Sequence, residues 1–148
     1  MSLKLWLENG WLKEHKPTSR EIAELLAVAD RALKDCQIPE LSNEGKLNIA
    51  HNAALQSSAA ALAAAGYRSS REAYHYYVIE SLSFTLQLEG RVIRRLHKLR
   101  RKRNISDYER PGTVTEQEAQ EMVELAKLIR QQVEEWIRNN HKELATEI

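Results

Sequence analysis

The stretch RRKRNISDYE, at positions 100–109, combines side chains that suit an anion with side chains that could move a proton. It opens with a basic run: Arg100, Arg101, Lys102 and Arg103. Such cations donate charge-assisted hydrogen bonds to phosphate oxygens. Asp107 and Tyr108 follow closely, where a catalytic base could stand, and Asn104 lies between them and the basic run. The basic run is therefore a candidate phosphate site, and the candidate catalytic residues are Arg103, Asn104, Asp107 and Tyr108.

Helical periodicity gives Arg103 a special position within this stretch. At about 100° per residue, the apolar Val92, Leu96 and Leu99 share one stripe, and Arg103 falls near the middle of it. A desolvated guanidinium needs a partner, because an unpaired buried charge is costly. Two partners fit the pattern. Asp107, one turn further on, would form an internal ion pair, whereas an anion would place Arg103 in a cleft between subunits.

The rest of the predicted basic helix carries cations without compensating acids over residues 91–103. The same periodicity directs a set of them toward solvent: Arg94, Arg95, Lys98, Arg101 and Lys102. Such a face can contact several phosphates electrostatically. The acids of the last helix, residues 116–135, could equally neutralise it across the fold.

Composition indicates one compact domain over residues 1–148 with few turns. The chain has 43% hydrophobic and 29% charged residues, and only five glycines and three prolines, which favours helices. Cys36 is the single cysteine, so no disulfide can form within the chain. We see neither a signal peptide nor an apolar run of about 20 residues, which predicts a cytoplasmic protein without membrane contact.

Capping signals place five helices and no strand. Thr18, Ser42, Ser69 and Thr115 stand where a helix would begin, and Gly66 where one would end. The predicted helices cover about 19–35, 42–66, 70–88, 91–106 and 116–140. Short connections favour antiparallel neighbours, so the fold class is all-α, an up-and-down bundle of four or five helices. Residues 1–17 would pack on the bundle or on a dimer partner through two tryptophans, Trp6 and Trp11.

Three histidines fall on predicted helices. His51 and His75 lie on apolar faces, which is typical of hydrogen-bonded core residues, and either one becomes the substitute base if it converges with Arg103. His97 is expected on the exposed side of its helix. Of the tyrosines at 74, 76 and 77, the spacing leaves only Tyr76 exposed and able to stack on a base. No motif indicates a metal or another cofactor.

Residues 96–137, LHKLRRKRNISDYERPGTVTEQEAQEMVELAKLIRQQVEEWI, resemble the closing part of the HEPN superfamily of small helical bundles. RRKRNISDYE resembles the RxxRNxxDY form of bacterial HEPN-like proteins, and the upstream Ala-rich helix, GYR turn and His-containing helix resemble the same branch. The resemblance implies a dimer whose motif helices line a shared cleft. In ribonuclease members, an Arg and a His written Rx4-6H cut RNA without metal. Arg103 and Asn104 match that motif, but Tyr108 stands where a His is expected.

The sequence therefore predicts a HEPN-like homodimer that binds a nucleotide or an RNA phosphate at the RRKRNISDY motif. By resemblance, its setting is a toxin–antitoxin or defence system with a nucleotidyltransferase-like partner. The resemblance also allows a metal-independent ribonuclease activity, which the sequence alone neither establishes nor excludes. The alternative is a non-catalytic interaction module in which Arg103 is paired internally with Asp107.

Overall fold

A computed structural model describes residues 1–70, 74–108 and 113–148, and gives only the helical backbone for residues 103–108. Helix accounts for 72% of the structure and strand for 4%, which confirms the all-α class. The helices are α1 Leu3–Glu8, α2 Ser19–Asp35, α3 Asn43–Ala64, α4 Tyr74–Glu80, α5 Leu82–Thr85, α6 Gly90–Tyr108 and α7 Glu116–Asn140. A 3-10 turn at Lys142–Leu144 follows α7. Strands β1 Leu12–Glu14 and β2 Tyr67–Ser69 form a small antiparallel sheet.

Side-chain caps begin the long helices where the sequence predicts them. Thr18 accepts a hydrogen bond from the backbone N–H of Glu21, and Ser42 accepts one from Gly45. At α7, Thr115 and Glu118 form the complete reciprocal capping box. Each cap satisfies a backbone donor that the first helical turn would otherwise leave unpaired.

Helix α3 is the centre of the bundle and packs between α2 and α7. Its buried face is built mainly from small side chains: Ala50, Ala53, Ala54, Ala60, Ala61 and Ala64. Because alanine lets helix axes approach closely, two helices can pack against this one on different sides. Asn43 donates to the carbonyl of Val114, so α3 and α7 begin at the same end. Arg130 of α7 binds Asp30 of α2, and Ser19 at the start of α2 donates to Glu147 beyond the end of α7, so α2 and α7 run in opposite directions.

The small sheet corrects the prediction that the chain has no strand. Leu12 pairs with Ser69 and Glu14 with Tyr67, so the sheet joins the N-terminal segment to the connection after α3. Three residues are too few to show the alternation that marks a strand. Trp6 of α1 is buried against Tyr77 and Phe84 of this same chain, and α1 was not predicted as a helix.

The predicted third helix is interrupted at Ser81, which separates α4 from α5. The hydroxyl of Ser81 donates to the carbonyl of Val78, and that of Ser83 donates to Glu80. Side-chain hydroxyls thus compete for carbonyls that a continuous helix would use, which favours a break. Gln87 then adopts a positive φ of 55°, and the chain turns into α6. Among the described residues, no helix has the length and apolar character needed to cross a membrane.

Candidate nucleic-acid interface

Helix α6 is held by an apolar face that packs against α3, α4, α5 and α7. Ile93, Leu96 and Leu99 are buried on this face, while Val92 is only partly buried at its edge. The predicted stripe is therefore confirmed at Leu96 and Leu99, whereas Ile93 and not Val92 is buried at its other end. It leaves the opposite side of the same helix to solvent.

Four exposed cations form a row along that solvent side: Arg91, Arg94, Lys98 and Arg101. Their spacing of three, four and three residues keeps them on one face, over about 15 Å of helix axis. Arg91 binds Glu89 at 2.7 Å. Within the described part of the chain, the other members of the row form no ion pair. We call these four residues the basic row.

Two further cations of α6 turn toward α7 instead of solvent. Arg95 donates from Nε to Glu121 at 2.6 Å, and Lys102 binds Glu118 at 2.7 Å. The prediction that Arg95 and Lys102 face solvent is therefore wrong, because both are half-buried in these pairs. They lie on the flank of α6 nearest the acids of α7.

The two ion pairs change the titration of the acids. The hydrogen bond from Arg95 lowers the pKa of Glu121 against the opposing effect of burial, and the charge of Lys98 adds to the lowering. Burial raises the pKa of Glu118, but hydrogen bonds from Lys102 and Thr115 outweigh it, so the net shift is downward. Both carboxylates therefore remain ionised at neutral pH and neutralise one flank of α6.

An aromatic side chain adjoins the basic helix on its other flank. Tyr76 of α4 is 44% exposed, as predicted, and stacks on His97 of α6 with ring centroids 5.0 Å apart. His97 is buried and its Nε2 lies 2.8 Å from a carboxylate oxygen of Glu80. The prediction that His97 is exposed is wrong because α4 covers it. Tyr74 departs from the sequence prediction in the opposite direction: it is 37% exposed instead of lying in the core.

Arg100 differs from its basic neighbours because it lies on the packed side of α6. Arg100 as a whole is half-buried, but its Nε atom is fully buried. This atom has no hydrogen-bond partner among the residues that the structure describes. A buried donor of this kind is costly unless an acceptor reaches it. Of the predicted phosphate-binding residues, Arg101 is thus exposed, Lys102 is paired and Arg100 is half-buried.

Two histidines converge elsewhere in the bundle. His51 of α3 is buried, and its ring centroid lies 6.1 Å from that of His75 of α4. Helix α6 packs against both α3 and α4, the helices that carry this pair.

The side chains of Arg103, Asn104, Asp107 and Tyr108 lie outside the described residues. The two predicted partners of Arg103, Asp107 and a bound anion, therefore both stay predictions. In the described ranges, no three His, Cys, Asp or Glu side chains gather as a metal site would require. Cys36 is buried, and burial raises the pKa of its thiol.

Comparison with known proteins adds no assignment. A scan against protein-family models found no match to this chain, and a search of curated proteins found no relative. The resemblance to HEPN proteins therefore rests on the sequence features alone: the RRKRNISDYE motif and the similar segments upstream of it.

Proposed function

We propose that this chain is a HEPN-like protein that binds single-stranded RNA along the solvent face of α6. The observation that carries the proposal is the basic row, in which Arg94, Lys98 and Arg101 are exposed and have no ion-pair partner among the described residues. Evenly spaced cations on one helix face favour a polyanion, because each can replace a counterion at a phosphate.

The position of Tyr76 favours a single strand over a duplex. Proteins that bind single strands combine a cationic surface with aromatic rings on which unpaired bases stack. Tyr76 is exposed, its ring is held parallel to His97 at 19°, and His97 belongs to the same helix as the row. A strand whose phosphates follow the row would bring a base within reach of this ring.

The motif at the end of α6 would complete the site in a homodimer. There Arg103 and Asn104 would hold a phosphate in a cleft between two protomers, with Asp107 and Tyr108 beside it. Because Tyr108 is a poor base at neutral pH, His51 or His75 would be the substitute base for RNA cleavage if it converges with Arg103. We extend the proposal to a toxin–antitoxin or defence setting with a nucleotidyltransferase-like partner, on the resemblance alone.

RNA binding is tested by fluorescence anisotropy with a labelled 20-nucleotide single strand of mixed sequence. The variant Arg94→Gln/Lys98→Gln/Arg101→Gln removes three charges from the basic row. A matched control, Lys4→Gln/Lys13→Gln/Arg31→Gln, removes three exposed charges from other elements. We expect the first variant to bind at least tenfold more weakly than wild type and the control to stay within about twofold. Equal losses in both variants would contradict a site on α6.

Cleavage is tested separately in EDTA with the same RNA. Wild type is compared with Arg103→Ala and Tyr108→Phe, and each variant is checked for helicity. Loss of cleavage in folded Arg103→Ala supports a metal-independent ribonuclease. Binding without cleavage by wild type leaves the RNA-binding proposal in place and removes the catalytic one.

One observation favours a different function, a non-catalytic interaction module. The pairs Arg95–Glu121 and Lys102–Glu118 mean that acids of α7 already neutralise one flank of the basic helix. If the remaining cations serve only solubility or protein contacts, wild type will not bind RNA even at low salt. The anisotropy experiment separates the two functions.

A further inference from the structure

A pocket of about 190 Å³ lies where β2 crosses α2, α3 and α4, away from the solvent face of α6. Its apolar side is formed by these side chains: Leu25, Ala59, Leu62, Ala63 and Val78. Its rim carries Tyr67, Arg68, Tyr74, His15 and Glu21. An apolar cavity of roughly 150 Å³ binds benzene. This pocket therefore has room for one ring with a substituent, or for two small fused rings.

His15 and Glu21, two of the rim residues, form a polar wall of the pocket, and the carboxylate of Glu21 presents hydrogen-bond acceptors. Nε2 of His15 lies 2.7 Å and 2.8 Å from the two carboxylate oxygens of Glu21, so its N–H is shared between them. Each oxygen keeps a lone pair that this bond does not use. Glu21 is 38% exposed at the side chain, so the carboxylate can be approached from outside.

The backbone holds this wall in place. The N–H of His15 donates to the carbonyl of Gly66 at 2.9 Å, next to the paired strands, and Glu21 sits in the capped first turn of α2. Gly66 has a φ of 98°, which favours glycine. The acceptor wall is therefore preorganised, which reduces the cost of binding.

Tyr67 and Tyr74 supply the aromatic part of the rim. Tyr74 is partly exposed, and desolvation raises the pKa of its phenol, so the ring stays neutral and keeps its O–H at physiological pH. Apolar pockets with a few fixed polar groups are typical of small-molecule sites. Aromatic rings at the rim favour a flat ligand.

We propose that this pocket binds a small heteroaromatic molecule of one or two rings, whose N–H donors face the carboxylate of Glu21. The ring lies against Leu25, Leu62 and Val78. This inference does not depend on RNA binding. RNA is a polyanion and would bind along α6, which contributes no residue to this pocket.

The test uses 2-aminopyridine as the probe and 2-methylpyridine as the matched control, which has nearly the same shape but lacks the amino donors. Methyl-labelled Leu and Val residues report binding by NMR. We expect saturable shifts at Leu25, Leu62 and Val78 with 2-aminopyridine, and at least tenfold weaker binding of 2-methylpyridine. No saturable shift at these methyls, or equal affinity for both compounds, overturns the proposal.

Two variants locate the interaction. Glu21→Gln keeps the shape of the side chain, and we expect it to abolish the preference for 2-aminopyridine while leaving 2-methylpyridine unchanged. Ala59→Leu fills the pocket, and we expect it to remove binding of both compounds, whereas Gln56→Leu on the same helix is the control for folding. A Glu21→Gln protein that keeps the full preference would also overturn the proposal, even if Ala59→Leu fails to fold.

Discussion

His97 of α6 and Glu80 of α4 are joined by a 2.8 Å hydrogen bond, with Tyr76 stacked on the imidazole. This contact fixes α4 on the helix that carries the basic row. It also sets the position of the exposed Tyr76 ring relative to that row. The geometry of the proposed RNA surface therefore depends on the polar pair of buried His97 and partly exposed Glu80.

Removing the acceptor should destabilise the fold. We expect Glu80→Ala to lower the free energy of unfolding by about 1–3 kcal/mol, because the buried His97 would lose its partner. Urea unfolding followed by circular dichroism measures the change. Glu89→Ala is the control, since the Glu89–Arg91 pair is exposed and should contribute less than about 1 kcal/mol. Equal effects of the two variants would mean that the His97–Glu80 pair contributes no more to stability than an exposed pair.

Acid should weaken the attachment of α6 to α7. The pKa of Glu121 is lower in the folded protein than its ordinary value of 4.5, so the stabilisation is present above pH 4.5 and is lost as pH falls through the folded pKa. The pKa of Glu118, which Lys102 of α6 binds, is lowered as well. Arg95→Gln removes the hydrogen bond that lowers the pKa of Glu121 most, so this variant should lose less stability than wild type when the pH falls below 4.5. Urea unfolding at pH 7 and at pH 3 measures the loss of stability, and Arg94→Gln should lose as much as wild type.

The central helix should not tolerate larger side chains. Ala54 of α3 is fully buried, so Ala54→Leu forces extra methyl groups into a packed core, at a cost of about 1–3 kcal/mol. Gln56→Leu, two residues further on and partly exposed, should change stability by less than about 0.5 kcal/mol. Thermal unfolding of both variants compares them. If Ala54→Leu is as stable as wild type, the close packing of α3 is not what the structure indicates.

Tyr76 should contribute to RNA affinity through its ring. Stacking of a base on an aromatic side chain is worth about 1–3 kcal/mol, so Tyr76→Ala should weaken binding about tenfold, whereas Tyr76→Phe should bind nearly as well as wild type. Anisotropy titrations measure both. Tyr74→Ala is the control, because Tyr74 is also exposed but lines the small-molecule pocket. An equal loss in Tyr74→Ala would argue against stacking at position 76.

Local signals in the sequence predicted the long helices well. Thr18, Ser42 and Thr115 begin their helices because a cap needs only a hydroxyl and the N–H three residues later. The sheet had no such signal, since its strands are three residues each and the paired residues are 53 to 57 positions apart. Pairing of this kind is set by the tertiary fold.

The surface of α6 was predicted only in part for a related reason. Periodicity locates the side of a helix that faces the core, and Leu96 and Leu99 agree with it. It does not show which other helices cover the flanks of that helix. His97 is covered by α4, and Arg95 binds Glu121 of α7, so neither side chain faces solvent as the periodicity predicts.

The salt dependence of RNA binding tests the central claim most directly. For a single strand, the logarithm of affinity falls with the logarithm of salt concentration by about 0.7 per phosphate contact. We predict a steep slope for wild type and a slope about 2 units shallower for Arg94→Gln/Lys98→Gln/Arg101→Gln, with Lys4→Gln/Lys13→Gln/Arg31→Gln like wild type. The same slope in all three proteins, or no binding by wild type at low salt, would contradict RNA binding by α6.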